Sequence, residues 1–299
     1  MHEQYDDLVR ESPQGSVFAT SWWLDAVAEG QWRTNAVEEN GEVVAAWPTV
    51  VRETRWGEVH EGALLTPFLG PLFRPEGSEL KRRANEVKRL EQLAAAFRGA
   101  AHVEARCNPA FDYWTPLAWH GFSQTTRYTW RLGKLADLKA VFAEARENIR
   151  REVRKARKRG VSVSRASLHE LTSLNERTGG AAATTRTLER VETAAEARGA
   201  STILGARDSD GRLHAAGYFV SDDRFAYYLL GASDPDLRTS GAPSLLLWTA
   251  IEQAAERGVG FDFEGSMVRG VERFFRAFGG EPAPYSIVRK TPSLALRVS

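Results

Sequence analysis

One order of predicted elements occurs twice along this chain, and the repetition constrains the fold more than any other feature. Each copy opens with a hairpin, at Asn40-Gly41 in the first and at Asp208-Ser209-Asp210-Gly211 in the second. A third strand, a loop rich in turn-forming residues, a helix, a strand, a short helix and a final strand follow in both copies. The repetition predicts a duplicated α/β unit. The alternative, a single mixed-sheet domain, does not explain why the order of elements recurs.

The length of 299 residues fits this duplication, because domains average about 150 residues. The boundary is predicted near Gly133, which gives segments 1–133 and 134–299. The predicted strands are 34–39, 43–51, 59–65, 102–106 and 128–132 in the first copy and 201–207, 213–220, 224–230, 260–264 and 285–288 in the second. The predicted helices are 79–97, a short one ending at Gly121, 244–257 and 268–277.

A helical section is predicted between the two copies. Asp137 is a natural N-cap for a helix that Gly160 ends, and apolar residues recur along it at three- and four-residue spacing. Two further helices are predicted at 167–177 and 188–198, with a flexible loop of small residues at 179–183 between them. Near the N-terminus, Trp22-Trp23 predicts a packed amphipathic helix.

Composition excludes several classes of protein. The single cysteine, Cys107, excludes an internal disulfide framework and a cysteine-based zinc site, and the six histidines show no pair at metal-ligand spacing. The sequence has no P-loop, no dinucleotide-binding glycine motif and no serine-hydrolase elbow. The acidic N-terminus lacks the pattern of a signal peptide, and no apolar run approaches the roughly 18 residues of a spanning helix. We therefore expect a soluble, cytoplasmic protein without a metal or a permanently bound cofactor.

The net charge of +1 conceals a strongly basic helix. Between 146 and 165 nine Lys or Arg residues face only two glutamates. Like charges at helical spacing repel one another, and a polyanion would relieve that repulsion and release counterions. This pattern favours a phosphate-rich partner over a merely solvated face. The residues predicted to bind phosphate or RNA are Arg150, Arg151, Arg154, Lys155 and Lys158.

The C-terminal run Phe261-Asp262-Phe263-Glu264-Gly265 carries the clearest chemical signal. In a strand the two phenylalanines point to one face and the two carboxylates to the other. Acidic groups on a buried strand are costly unless they are paired or functional. Asp262 and Glu264 are therefore candidate catalytic residues, and the alternative is that either one caps the next helix or pairs with a nearby arginine.

A second constellation precedes the helix predicted at 244–257. A glycine-containing turn at a helix N-terminus presents backbone N–H groups to an anion. Gly241 lies in such a turn, Arg238 could add guanidinium donors, and Ser244 begins the helix. These three residues are predicted to hold the phosphate or carboxylate of a donor substrate, although Gly and Pro before a helix are also common turn chemistry.

Taken together, the order of these motifs resembles the Fem-type (FemABX-like) branch of the GNAT acyltransferase superfamily. The resemblance spans nearly the whole chain and is most specific in the runs F-D-F-E-G-S and F-F-R-A-F-G-G. It implies an α/β fold of two tandem GNAT-like domains, each a mixed, mostly antiparallel sheet flanked by helices. It also implies an N-acyltransferase, in which an amine attacks an activated acyl group.

Within that resemblance, Asp262 or Glu264 becomes the candidate base or amine-positioning group, and Tyr228 and Arg276 become candidates for polarising the acyl carbonyl. Members that act on cell-wall precursors carry a lysine after the N-terminal aromatic motif, a lysine in the late motif and a long helical hairpin. The chain has Trp23-Leu24-Asp25-Ala26 and Phe275-Arg276 at the first two positions, and 137–198 is too short for the hairpin. These departures argue against a cell-wall substrate.

Three hypotheses follow from the sequence. In the first, the donor is an aminoacyl-tRNA, which acts as co-substrate, and the acceptor is an amine of a small molecule or peptide. In the second, the donor is an acyl-CoA, although the turn at Arg238 ends in Pro243 where the pyrophosphate motif requires glycine or alanine. In the third, the chain is a non-catalytic GNAT-like binding protein. The sequence does not indicate an oligomeric state.

Overall fold

The computed structural model describes residues 2–133, 135–177 and 183–291, over which the chain forms ten α-helices and twelve β-strands. The helices are α1 His2–Glu11, α2 Ser21–Ala28, α3 Glu79–Ala95, α4 Thr115–Trp119, α5 Leu138–Glu144, α6 Glu147–Lys158, α7 Leu168–Arg177, α8 Ala183–Glu196, α9 Ala242–Glu256 and α10 Arg269–Arg276. The strands are β1 Trp32–Glu39, β2 Glu42–Thr54, β3 Gly57–Glu61, β4 Leu72–Phe73, β5 His102–Arg106, β6 Ser123–Leu132, β7 Ser162–Arg165, β8 Ser201–Arg207, β9 Leu213–Ser221, β10 Phe225–Ser233, β11 Gly260–Asp262 and β12 Glu281–Lys290. Over these ranges, no helix combines the length and the apolar character that crossing a bilayer requires.

The chain forms two compact units. Unit 1 contains the residues up to Arg127 and those from Pro284 onward, and unit 2 runs from Tyr128 to Ala283. The sheet of unit 1 has the strand order β1-β2-β3-β5-β12, with β4 paired to β2. The sheet of unit 2 has the order β6-β11-β10-β9-β8-β7. Within each unit the strands pair mostly antiparallel, as the family resemblance implies.

The predicted duplication is visible in the strand pairing. In unit 1 the third strand of the repeat, β3, runs parallel to β5, which follows the helix α3. In unit 2 the corresponding strand β10 runs parallel to β11, which follows α9. A helix that connects two parallel strands is the crossover that this pairing requires. The repeated order of elements is therefore also a repeated topology.

The last strands of the two repeats are exchanged. β6, which ends the first repeat, pairs with β11 in unit 2 through Leu132 and Arg131. β12, which ends the second repeat, pairs with β5 in unit 1, where Ile287 lies opposite Arg106. The compact units consequently differ from the predicted segments 1–133 and 134–299. The chain enters unit 2 within β6 and returns to unit 1 within β12.

The core of unit 2 forms where α6 and α9 pack over the sheet. Ile149, Val153 and Ala156 of α6 are buried in it, together with almost every apolar side chain of α9. Gly241 precedes α9 with φ +83°, and a Cβ there would lie 2.4 Å from the carbonyl oxygen of Glu152 in α6. Only glycine fits this close approach, so the turn before α9 is fixed against α6.

One predicted element is wrong. A single helix from Asp137 to Gly160 is expected, but α5 ends at Glu144 and α6 starts at Glu147. Ala145 and Arg146 are extended, and the Arg146 N–H donates to the carbonyl oxygen of Ala277 at 2.8 Å instead of to a helical partner. Asp137 does cap α5, because its carboxylate accepts from two backbone N–H groups at 3.0 Å. The predicted loop at 179–183 lies almost wholly outside the described residues.

Candidate active site

A cavity of about 450 Å³ opens where β10 and β11 part. The two strands pair only from Phe225 to Tyr227 and from Gly260 to Asp262, and the residues after these points line the cavity walls. We call it the transfer cavity. Because β10 continues to pair with β9 on its other side, the backbone groups that it turns toward the cavity face no other strand of the described residues. These groups can bind a ligand that enters the cavity.

A β-bulge shapes the β10 wall of this cavity. The register with β9 shifts between Tyr228 and Leu230, so Leu229 is the extra residue. The Tyr228 ring stacks on Phe219 at 5.3 Å between centroids and meets Phe275 edge-on at 5.8 Å. Burial raises the pKa of Tyr228 to about 12. The phenol is therefore neutral at physiological pH and can donate a hydrogen bond into the cavity.

Glu264 lines the same cavity from the end of β11. Its backbone has φ +60° and that of Gly265 has φ +66°, so the chain turns away from the strand at this point. The Oε1 atom of Glu264 is buried and has no hydrogen-bond partner among the described residues. Burial, reinforced by the negative charge of Asp262, raises the pKa of Glu264 well above its ordinary value. A carboxyl group with a raised pKa in a cavity is typical of a general acid or base.

Asp262 occupies a different environment from Glu264. Its side chain is fully buried and accepts hydrogen bonds from Thr129 Oγ1 at 2.5 Å and from Arg131 Nε at 2.7 Å. It also accepts from the backbone N–H of Glu264 at 2.8 Å. The structure thus separates two carboxylates that strand alternation places on one face. Asp262 fixes the turn, and Glu264 faces the cavity.

Two partners of Asp262, Thr129 and Arg131, are not among the residues predicted from the sequence. Both lie on β6 two residues apart, and so they point to the same face of that strand. Polar residues at this spacing in a predicted strand are a signal that they pair with a buried charge. Because Asp262 lies more than 130 residues away in the sequence, the signal does not name the partner.

The other predicted catalytic and donor-binding residues lie elsewhere in unit 2. Arg276 pairs with Glu272 on α10 at 2.9 Å and does not line the transfer cavity. Arg238 is exposed and also lies outside the transfer cavity, although Pro243 of the same turn reaches it. Gly241 and Ser244 are buried. Their roles stay predictions.

The turn before α9 offers few free donors to an anion. The Ala242 N–H donates to Ser240 Oγ at 3.2 Å, and the Leu245 N–H donates to the carbonyl oxygen of Gly241 at 3.1 Å. Pro243 has no N–H group. The N–H groups of Gly241 and Ser244 are left, and both residues are buried. A phosphate therefore finds a poorer site here than at an ordinary helix N-terminus.

The predicted basic residues all lie on α6, and most of them are exposed. Glu147 pairs with Arg150 at 2.7 Å and with Arg154 at 3.4 Å, and Glu152 pairs with Lys155 at 2.5 Å. Two glutamates are thus shared among six basic residues of the helix. Exposed pairs of this kind are weak, so α6 presents a net positive face to solvent.

Comparison with known proteins identifies the fold. A family model for the acetyltransferase (GNAT) domain matches residues 143–276, which include every residue that lines the transfer cavity. The crystal structure of FemX superimposes with a TM-score of 0.71 over 96% of this chain and 95% of FemX, at 15% sequence identity. The chain has a tandem GNAT fold of the FemX kind. The resemblance predicted from the sequence is confirmed at this level.

Two further solved structures share the FemX-like fold. The C-terminal domain of a putative lysylphosphatidylglycerol synthetase from Agrobacterium fabrum has a TM-score of 0.60 and 14% identity, over 98% of this chain and 93% of that one. A tandem GNAT protein from the clavulanic acid biosynthesis pathway has a TM-score of 0.54 and 15% identity, over 96% and 93%. A comparison with curated protein sequences gives no significant match.

A substitution at Gly231 tests the importance of the bulge in this FemX-like fold. A Cβ at Gly231 would lie 1.5 Å from Tyr228 Oη, so Gly231→Ala must displace the Tyr228 ring. We expect a loss of about 1–3 kcal/mol in the free energy of unfolding, measured by urea denaturation. Gly270→Ala is the control, because Gly270 also lines the cavity but has no atom within 4 Å of a Cβ. Equal stability of the two variants would show that Tyr228 is not held by Gly231.

Proposed function

We propose that this protein is an N-acyltransferase that joins an activated acyl group to an amine in the transfer cavity, with Glu264 as the general base. The single observation that carries the proposal is the Glu264 carboxylate, which faces the cavity with an unpartnered buried oxygen and a raised pKa. An amine nucleophile must lose a proton as it attacks, and a base with a pKa near the working pH accepts it best.

The reaction balances with the groups that line the cavity. The amine nitrogen attacks the acyl carbonyl carbon, so a C–N bond forms as the bond to the leaving oxygen breaks. Glu264 takes the proton from the nitrogen and returns it to the leaving oxygen. The Tyr228 phenol and backbone N–H groups of β10 donate to the carbonyl oxygen while it carries negative charge. Arg276, which Glu272 holds outside the cavity, has no part in this scheme.

We propose an aminoacyl-tRNA as the donor and an amine of a small molecule or peptide as the acceptor. Two observations favour this donor over an acyl-CoA. The turn before α9 bonds the N–H groups of Ala242 and Leu245 internally, and Pro243 has none, which weakens the turn as a pyrophosphate site. The positive face of α6 offers an extended surface to a nucleic-acid backbone. The resemblance to Fem-type enzymes and the name of one similar structure, a putative lysylphosphatidylglycerol synthetase, are consistent with aminoacyl transfer. The neighbour from the clavulanic acid pathway, a tandem GNAT protein solved without AcCoA, suits the alternative.

Charge reversal on α6 tests the donor. The triple variant Arg151→Glu, Arg154→Glu and Lys158→Glu changes side chains that are exposed on α6 and leaves its buried residues intact. We expect its affinity for total tRNA charged with labelled amino acids to fall at least tenfold. The slope of log K against log salt should shrink by about 0.7–0.9 for each phosphate that the variant no longer neutralises. Filter binding across a salt series measures both quantities.

A triple variant of the same charge change in unit 1 serves as the control. Lys81, Lys88 and Arg98 are exposed on α3 or just after it, and their reversal to glutamate should leave the affinity nearly unchanged. If the two triple variants weaken binding equally, α6 is not the tRNA surface. If charged tRNA donates no amino acid to any amine while acyl-CoA does, the donor proposal is overturned and the acyl-CoA alternative is supported.

A further inference from the structure

A second cavity lies beside the transfer cavity. It has a volume of about 260 Å³ and is lined by Tyr128, Trp130, Ser266, Met267, Arg269 and Glu272, together with Pro282. We call it the rim cavity. Ser266 lines both cavities, and Glu264 lies two residues before it on the wall of the transfer cavity. A molecule in the rim cavity is therefore placed next to the candidate base.

Exposed apolar side chains of unit 2 concentrate at this place. Over the described part of unit 2, four large hydrophobic side chains are exposed: Tyr128 by 54%, Met267 by 73%, Val268 by 64% and Val271 by 39%. Tyr128 and Met267 line the rim cavity, Val271 lines the transfer cavity, and Val268 lies on the segment between them. An exposed apolar cluster that adjoins a cavity with charged residues at its edge marks a binding surface.

The charged residues of the rim cavity are of two kinds. The Glu272 carboxylate pairs with Arg276 at 2.9 Å and is thereby neutralised. Arg269 is exposed and forms no ion pair within the described residues. A guanidinium with free donors at the edge of an apolar cavity matches a carboxylate on the ligand, which it can bind through two parallel hydrogen bonds.

We infer that the rim cavity binds the acceptor and selects an amine that carries both a carboxylate and an apolar or aromatic side chain, as an apolar amino acid does. This inference rests on the proposed function, because it takes the amine that binds here to be the acceptor of the acyl group. Tyr128, Trp130 and Met267 contact the side chain, Arg269 binds the carboxylate, and the amine points past Ser266 toward Glu264. The acceptor then enters on one side of Glu264 and the acyl group lies on the other.

Ligand binding without turnover tests the subsite. Saturation-transfer NMR and calorimetry compare L-phenylalanine with L-phenylalaninamide, which lacks the carboxylate, and with glycine, which lacks the side chain. We expect L-phenylalanine to bind about tenfold more tightly than either, in keeping with one charge-assisted contact. Arg269→Ala should abolish the preference over the amide, and Met267→Ser should weaken L-phenylalanine and L-phenylalaninamide to a similar extent while leaving glycine unchanged.

Arg273→Ala is the matched control, because Arg273 is exposed on the same helix but lines neither cavity. Equal binding of the three ligands, or equal effects of Arg269→Ala and Arg273→Ala, overturns the inference. The test also separates it from the proposed function. Arg269-dependent binding without acyl transfer supports the subsite and contradicts the function, whereas acyl transfer that is indifferent to Arg269 and Met267 supports the function and contradicts the subsite.

Discussion

Replacement of Glu264 by glutamine is expected to lower kcat by about 10²–10⁴-fold, the usual contribution of a general base. The amide keeps the size of the side chain but cannot accept the proton of the attacking amine. The same change should raise the melting temperature at neutral pH, because it removes a carboxyl group whose ionisation is costly in this buried position. Lost activity together with gained stability distinguishes a catalytic group from a structural one.

The pH dependence of both effects has a definite sign. The pKa of Glu264 is raised in the folded protein, so the folded state holds the proton more tightly than the unfolded state. The contribution of Glu264 to stability is therefore present at acid pH and lost as the pH rises through the folded pKa. The stabilisation by Glu264→Gln should be largest above that pKa and small below the ordinary glutamate range. In the unmodified enzyme kcat/KM should rise with pH as Glu264 loses its proton, and this rise should lie above the ordinary pKa range of glutamate.

Glu256→Gln is the matched control for these measurements. Glu256 is an exposed glutamate on α9, and neither activity nor melting temperature should change in this variant. Thermal melts and initial rates between pH 5 and 9 give the comparison. If Glu264→Gln keeps full activity, Glu264 is not the base and the proposed mechanism fails.

Replacement of Asp262 by asparagine is expected to destabilise unit 2 by about 3–5 kcal/mol, the typical cost of removing one partner of a buried ion pair. Asp262 is 0% exposed and the Arg131 side chain only 16%, so the remaining guanidinium would keep a buried charge without its carboxylate. The backbone turn at Glu264 would also lose the anionic acceptor of its N–H. Urea denaturation followed by tryptophan fluorescence measures the loss.

Any folded fraction of Asp262→Asn provides a second readout. The negative charge of Asp262 raises the pKa of Glu264, so the limb of the pH–rate profile should move to lower pH. Asp112→Asn in unit 1 is the control, since Asp112 forms an exposed pair with Arg83 at 2.8 Å and such pairs are worth about 0–1 kcal/mol. A stability loss no larger than that of Asp112→Asn would show that Asp262 does not hold the site.

The sequence predicts the local elements of this fold well where local chemistry decides them. Asn40-Gly41 turns the first hairpin, and β5 and β8 have the bounds predicted for them, 102–106 and 201–207. The break at Ala145 and Arg146 could not be predicted in this way, because a contact with Ala277 replaces the helical hydrogen bond. The exchanged strands depend on pairing between distant segments, which no local pattern records.

The candidate site shows the same division. The run around Asp262 and Glu264 is identifiable from its composition, since two carboxylates in a buried strand need an explanation. Their separate environments follow from the positive φ of Glu264 and from hydrogen-bond donors on β6. Strand alternation alone predicts that the two carboxylates share one face. Tyr228 lies in the cavity as its motif suggests, whereas Arg276 lies outside it because Glu272 is one helical turn away.

The exchange of β6 and β12 also governs when the protein can fold during synthesis. β5 emerges early from the ribosome, but its partner in β12 is encoded about 180 residues later. At roughly 5–20 residues per second, the edge of β5 waits about 10–40 s for that partner. During this time β5 is paired with β3 on one side only, and its other edge is open. An open strand edge is a usual starting point for aggregation. The sheet of the repeat that is synthesised first is thus completed last. The yield of folded protein in the cell therefore depends on how well the open edge of β5 is protected.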